Sequence, residues 1–257
     1  MNTIEARAML SQDFTLPKQL EYLSAKPFPH ICLKNMWNQE QLSNVASSVE
    51  DFDDWDGEKK FYGSIGKRWC SDRSKLPEAV LSFIDYANSP KFLKKLESIT
   101  GEKGLIPDPF LEGGGVHSTS SGGFLKMHVD FNWQATLKVY RRLNLLVYLN
   151  SDWSEDWGGE LKLGVKSHDS PLEISKVIFP HMNTTVLFTT DENSFHGQPD
   201  PLGCPKGINR NSIALYYYIA QPRSLNSVDV RVGTDYVTTE GQKISHFRKF
   251  FFWLRNL

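Results

Sequence analysis

Cysteine is scarce: three in 257 residues. Cys32, Cys70 and Cys204 lie far apart, and no C-x-x-C pair occurs. This argues against a disulfide framework or a thiolate zinc site, and a reducing, cytoplasmic setting is expected. Long apolar runs are also missing. The longest, Ile213 to Ala220 and Phe250 to Leu254, fall well below the roughly 18 residues that a membrane-spanning helix needs. The opening MNTIEARAMLSQDF has no basic region followed by an apolar stretch, so no signal peptide is expected. Neither sign of charge is in excess: 29 Lys and Arg against 30 Asp and Glu leave a net charge of −1. Without a global positive field, nucleic acid is not expected as the main partner. No internal repeat and no Gly-, Ser- or Pro-rich linker divides the chain. Hydrophobic residues at 40% and charged residues at 23% are ordinary globular values and exclude a disordered chain. The length suits one domain with flanking elements.

The texture of the chain changes near residue 105. Before it, 39–49, 76–87 and 92–99 carry apolar residues near helical spacing. Between these, residues 51–75 are polar, aromatic and aperiodic. They read as a long loop, either a lid or binding segment or an ordinary surface loop. After residue 110 come short β patterns at 122–131, 142–150, 159–164, 184–190 and 212–220. Ser120-Ser121-Gly122-Gly123, Asp156-Trp157-Gly158-Gly159 and Asp200-Pro201-Leu202-Gly203 mark turns between them. Many short strands without intervening helices predict a sandwich or jelly roll. The basic, aromatic tail from Lys243 to Arg255 is expected to dock its aromatics on that core.

Three clusters carry chemistry. In GGFLKMHVDFN, His128 and Asp130 stand two apart on a strand and so share a face. The pair alone decides little, since seven histidines give about 0.4 such pairs by chance. His196 follows the apolar strand around Val186-Leu187-Phe188. Two imidazoles and one carboxylate make the facial triad of non-haem Fe(II) oxygenases, which leaves coordination positions open. Arg210 and Ser212 alternate onto one face of the last strand. A guanidinium there matches a carboxylate in bidentate fashion, and its burial without an anion would be costly.

The order H-x-D, distal His, R-x-S resembles the 2-oxoglutarate- and Fe(II)-dependent dioxygenases, in particular the prolyl-4-hydroxylase-like branch. The likeness covers roughly 105–222 and includes RRLNLLVYLNSDW, then WGGELKLG, and the lead-in DPFLEGGGVHSTSSGGFLKMHVDFN. It implies a mainly β fold with flanking helices: a double-stranded β-helix (jelly-roll, cupin-like) core at 105–222. Residues 1–104 would form a mostly helical support region packed on the core, and 223–257 an extension packed on the core. It implies that His128, Asp130 and His196 hold Fe(II), that Arg210 and Ser212 take the distal carboxylate of 2-oxoglutarate, and that Tyr148 adds a hydroxyl to it. Leu161 would form an apolar wall against the cosubstrate. Asn144 and His117 would line the same cavity, and Asn132 and Trp133 would shape its mouth. Dioxygen is the second cosubstrate, and succinate and CO2 are the coproducts. Because halogenating relatives lack the carboxylate, Asp130 implies hydroxylation. The expected substrate is a small molecule or sugar-linked metabolite. The alternatives are a peptidyl proline and a non-catalytic jelly-roll binding protein. A zinc hydrolase is disfavoured, because Arg210-x-Ser212 and the lack of an evident general base do not suit it. Substrate specificity is expected from 51–75, 131–141 and the segment after Gln221.

Overall fold

A computed structural model describes residues 9–166, 170–220, 231 and 233–237. Most of the expected extension at 223–257, including the basic aromatic tail, lies outside them. In chain order the elements are α1 (Gln19–Ser24), β1 (His30–Lys34), α2 (Gln39–Glu50), β2 (Gly57–Phe61), β3 (Ser64–Cys70), α3 (Glu78–Ala87), α4 (Pro90–Thr100), β4 (Ile106–Pro107), β5 (Gly115–Val129), β6 (Trp133–Gln134) and β7 (Val139–Tyr148). A short 3-10 turn, Glu155–Trp157, precedes β8 (Leu161–Val165), β9 (Glu173–Ile178), β10 (Thr184–Thr189), β11 (Phe195–Gln198), β12 (Arg210–Ile219) and β13 (Asp235–Tyr236). The strands pair antiparallel in the order β1-β10-β7-β12-β5-β11-β8-β9, which nearly closes on itself as a double-stranded β-helix.

The three sequence-predicted helices stand where the apolar spacing puts them. Asn38 caps α2 by accepting from the Gln41 amide at 3.0 Å. Ser89 caps α4 ahead of Pro90, and Gly101 ends it in the left-handed region at φ 75°. Their apolar faces cover one side of the central strands. Trp37, Leu42, Val45, Phe83, Phe92 and Leu96 pack with Leu143, Leu145 and Val147 of β7 and with Ile213, Leu215 and Tyr217 of β12. Strand periodicity of two then turns Asn144, Leu146 and Tyr148, and Arg210, Ser212, Ala214 and Tyr216, to the opposite side, where they line a cavity.

Two expectations need correction. Ser120-Ser121-Gly122-Gly123 does not end a strand. It is a bend inside β5, with Gly122 at φ 75°. Here β5 passes from pairing with β12 through residues 115–119 to pairing with β11 and β13 through 125–129, while β3 pairs with it on both sides of the bend. The segment 51–75 is not a long loop either. It holds the hairpin β2–β3, and β3 is bonded to β5 from Ser64↔Leu125 to Cys70↔Val116. Its polarity misleads because its inner face borders a polar cavity and not hydrocarbon.

Trp37 couples the helices to the sheet. It is 1% exposed, stacks on Phe92 at 5.3 Å, and donates its indole N–H to Thr185 Oγ1 at 2.8 Å. Replacing it by alanine is expected to cost about 3–5 kcal/mol, read from the shift in urea midpoint. A loss below about 1 kcal/mol would show that the two layers are not coupled there.

Candidate active site

β5 and β11 lie side by side with His128 directly opposite His196. Their ring centroids are 4.3 Å apart. Asp130, two residues on from His128, completes the group: its Oδ1 is 3.6 Å from His128 Nε2 and its Oδ2 is 3.2 Å from His196 Nε2. One ligand atom from each residue lies within 4.8 Å of the other two, and all three side chains are at most 10% exposed. Both imidazoles are oriented the same way. His128 Nδ1 is 2.8 Å from the Lys126 carbonyl and His196 Nδ1 is 3.0 Å from the Ser194 carbonyl. A carbonyl only accepts, so each Nδ1 carries the hydrogen and each Nε2 presents a lone pair inward, the tautomer a metal ligand needs. Burial first, and then the neighbouring His196, push the His128 imidazole down to about 4, so it is neutral at ordinary pH.

The carboxylate is held by residues the sequence did not single out for it. Burial alone would raise the Asp130 carboxyl, but the Arg141 guanidinium and the two imidazoles hold it well below the usual range. Arg141 is 2.9 Å from Asp130 Oδ2, and Asn144 Nδ2 donates to the same oxygen at 2.8 Å. Asn144 Oδ1 in turn accepts from Arg141 Nε at 2.9 Å. The guanidinium is sandwiched at 3.3 Å over the Tyr216 ring and 4.7 Å over Phe131. Tyr236, opposite His128 across the β13–β5 pair, lays its ring 5.3 Å from that imidazole.

The triad sits in a cleft that Arg210, Ser212, Tyr148, Leu161, Asn144 and His117 also line. Arg210 Nε donates to the Gly159 carbonyl at 2.6 Å, and its terminal nitrogen donates to the Tyr148 hydroxyl at 3.1 Å. The Gly-Gly before β8 has a steric reason. Gly159 adopts φ 80°, and a Cβ there would come within 2.9 Å of Leu202 and Trp153 and within 3.2 Å of Arg210. Leu161 packs beside Tyr148 and Phe188. His117 is opposite Ser212 and Trp69, and burial followed by nearby lysines holds its imidazole well below the ordinary value. Asn132 and Trp133 are not among the residues lining the cavity. Asn132 accepts from the Arg231 amide at 2.6 Å, and Trp133 packs edge-on against Tyr140.

Sequence reasoning missed Lys67, Thr119, Gln198 and Tyr216 as lining residues. Tyr216 had a signal, since it continues the alternation Arg210, Ser212, Ala214, and Lys67 lies within 51–75, a segment from which specificity is expected.

Residues 114–218 match the family model of the 2OG-Fe(II) oxygenase superfamily. The matched segment contains His128, Asp130, His196 and Arg210, and the match together with this site supports a dioxygenase that uses iron(II) and 2-oxoglutarate. Solved structures of the same fold include a prolyl hydroxylase from Trichoplax adhaerens in complex with a hypoxia inducible factor oxygen degradation domain peptide. It is 18% identical, with a TM-score of 0.56 over 82% of this chain and 91% of that one. HygX from Streptomyces hygroscopicus, with nickel, 2-oxoglutarate and hygromycin B bound, is 15% identical at TM-score 0.53, covering 78% and 86%. A Pseudomonas putida prolyl-4-hydroxylase is 15% identical at TM-score 0.50, covering 74% and 91%. No curated protein matches the sequence. Among the described residues, no helix is long and apolar enough to cross a membrane.

Because Asn144 fixes both the carboxylate and its guanidinium partner, Asn144→Ala is expected to weaken Mn(II) binding about 10–100-fold. Calorimetry with Mn(II) checks this, and unchanged affinity would remove Asn144 from the support of Asp130.

Proposed function

We propose that the protein hydroxylates an unactivated C–H of a small molecule or sugar-linked metabolite, converting 2-oxoglutarate and O2 to succinate and CO2 in the same turnover. One oxygen atom enters the product and the other enters succinate, so the balance is complete. The observation that carries this reading is the pairing of two inward-facing Nε2 lone pairs and one carboxylate with a buried guanidinium across the same cavity. In this reading His128, Asp130 and His196 hold iron(II). Arg210, with the Tyr148 hydroxyl beside it and Ser212 on the same face, takes the distal carboxylate of 2-oxoglutarate.

Bound iron with 2-oxoglutarate and O2 supplies the oxidising power for the C–H bond. The chain's own residues orient and enclose it. The Gly159 carbonyl and Tyr148 fix the guanidinium before any ligand arrives, so little ordering remains to be done on binding. Arg141 keeps Asp130 ionised. Leu161 and Leu146 give an apolar wall, and the Tyr236 ring covers His128. The triad's low exposure at the base of the cleft supports a small substrate that enters whole.

The test is a panel of metabolites and proline-containing peptides with Fe(II) and 2-oxoglutarate, scoring substrate-dependent succinate. Stimulation by peptides alone would replace the small-molecule reading, and no succinate under any condition would overturn the oxygenase assignment of these residues. His128→Ala is expected to abolish turnover. Arg210→Ala is expected to raise the KM for 2-oxoglutarate about 10–100-fold, the loss of a charged hydrogen bond, with a smaller effect on kcat. Full activity in the His128 variant would take that residue out of the metal site.

A further inference from the structure

The hairpin β2–β3 brings two cations to the site that the reading above leaves unused. Across the sheet, Lys59 is opposite Lys67, Lys67 is opposite Thr119, and Thr119 is opposite Arg210. Opposed residues on neighbouring strands share a face. The four therefore form one row over β2, β3, β5 and β12, and Lys67, Thr119 and Arg210 all line the cavity. A bulge sets this row. The register slips between Ile65 and Lys67, around Gly66 at φ 67°, where a Cβ would lie 3.1 Å from the Gly123 Cα. Bulges of this kind re-aim the next side chain. Without the slip Lys67 would not face Thr119.

The arrangement is costly for the ligand-free protein. Like charges placed directly opposite each other destabilise a sheet. Neither lysine makes an ion pair within 4.0 Å of a carboxylate among the described residues. Asp130 attracts both, but it is already taken up by Arg141, Asn144 and the two imidazoles. Burial, and for Lys67 the positive charges of Lys59 and Arg210, push both ammonium groups down. A bound anion relieves all of this. The distal carboxylate of 2-oxoglutarate already has Arg210, Tyr148 and Ser212. The lysines stand farther out in the row, beside the Trp69 ring, whose centroid is 5.9 Å from Lys59 Nζ.

We propose that Lys67 and Lys59 bind an anionic group, a carboxylate or a phosphate, on the primary substrate. This rests on the oxygenase reading above. The substrate is then a small anionic molecule, anchored on the hairpin by its charge and against Trp69 by its apolar body, with its reactive carbon toward the triad.

Full-length protein is loaded with Mn(II), which keeps the site redox-silent, and saturating 2-oxoglutarate. Inorganic phosphate, benzoate and the neutral control benzamide are titrated in separate calorimetric runs at low ionic strength. Phosphate or benzoate is expected to bind at least tenfold more tightly than benzamide, and the stronger of the two identifies the group. Lys59→Met with Lys67→Met should lose tenfold or more of that affinity while 2-oxoglutarate affinity stays within twofold, and Lys59→Arg with Lys67→Arg should restore it. The ligand-free Met double variant should melt at or above the wild type, as removal of an uncompensated like-charge pair requires. Equal binding of benzoate and benzamide, anion binding unchanged in the Met variant, or a lower melting temperature overturns the proposal. A tenfold loss of 2-oxoglutarate affinity also overturns it, by assigning the lysines to the cosubstrate. If the wild type takes up Mn(II) and 2-oxoglutarate but no anion, only this inference fails. If it takes up neither, the oxygenase reading of the site fails with it.

Discussion

A β-strand gives alternate residues to opposite sides, and in β7 and β12 both sides are enclosed. One side meets the helices through Leu143, Leu145, Val147, Ile213, Leu215 and Tyr217. That face is hydrocarbon and cannot slip, because a shift of one residue would place Arg210 and Asn144 among the helices and Leu145 in the cleft. The register that the core enforces is therefore what aims the polar side chains. Trp37, locked between α3, α4 and Thr185, ties the helical layer to the same strands. The precision of the site derives from hydrophobic packing on the far side of the sheet that carries it.

The inner side carries the opposite liability. Burying Asp130 and Arg141 separately would cost several kcal/mol each, and their mutual contact offsets this only because further partners complete it. Asn144 satisfies one member at each end, and Tyr216 and Phe131 cover the planar faces of the guanidinium. Arg210 follows a different plan. Its fixed partners are neutral, the Gly159 carbonyl and the Tyr148 hydroxyl, so its charge stays available. One arginine stabilises a protein carboxylate, and the other keeps its charge uncompensated at the cavity wall. The difference lies in what each one touches, since both are buried on the same sheet.

That distinction marks how far the sequence could be read. H-x-D and R-x-S were legible because strand geometry alone puts i and i+2 on one face, and the distal histidine was legible by its place after an apolar strand. Arg141 was not. It stands next to Arg142, and a strand begun at 142 leaves it in the preceding loop. Only the register shows that Arg141 faces Asp130 while Arg142 turns away to Glu102 at 2.9 Å. Tyr236 had no signal either, since its approach to His128 depends on one short strand pair formed 108 residues later in the chain.

The hairpin 57–70 is the most instructive case, because the rule that failed there was the one that worked elsewhere. Apolar alternation detects a strand whose buried face meets hydrocarbon. The buried face of β3 carries Ser64, Lys67 and Trp69 toward a polar cleft, so the pattern that betrays β7 and β12 is absent, and Gly66 breaks the remaining period with a bulge. A strand that lines a polar cleft without the hydrocarbon backing of β7 and β12 looks like a loop to a reading based on hydrophobicity. The element expected to carry specificity does border the cleft, but as a bonded strand of fixed register. A lysine held this way cannot retreat into solvent as a loop lysine would, so it stays at the cavity wall, its ammonium group pushed down by burial, whether or not a ligand is there to meet it.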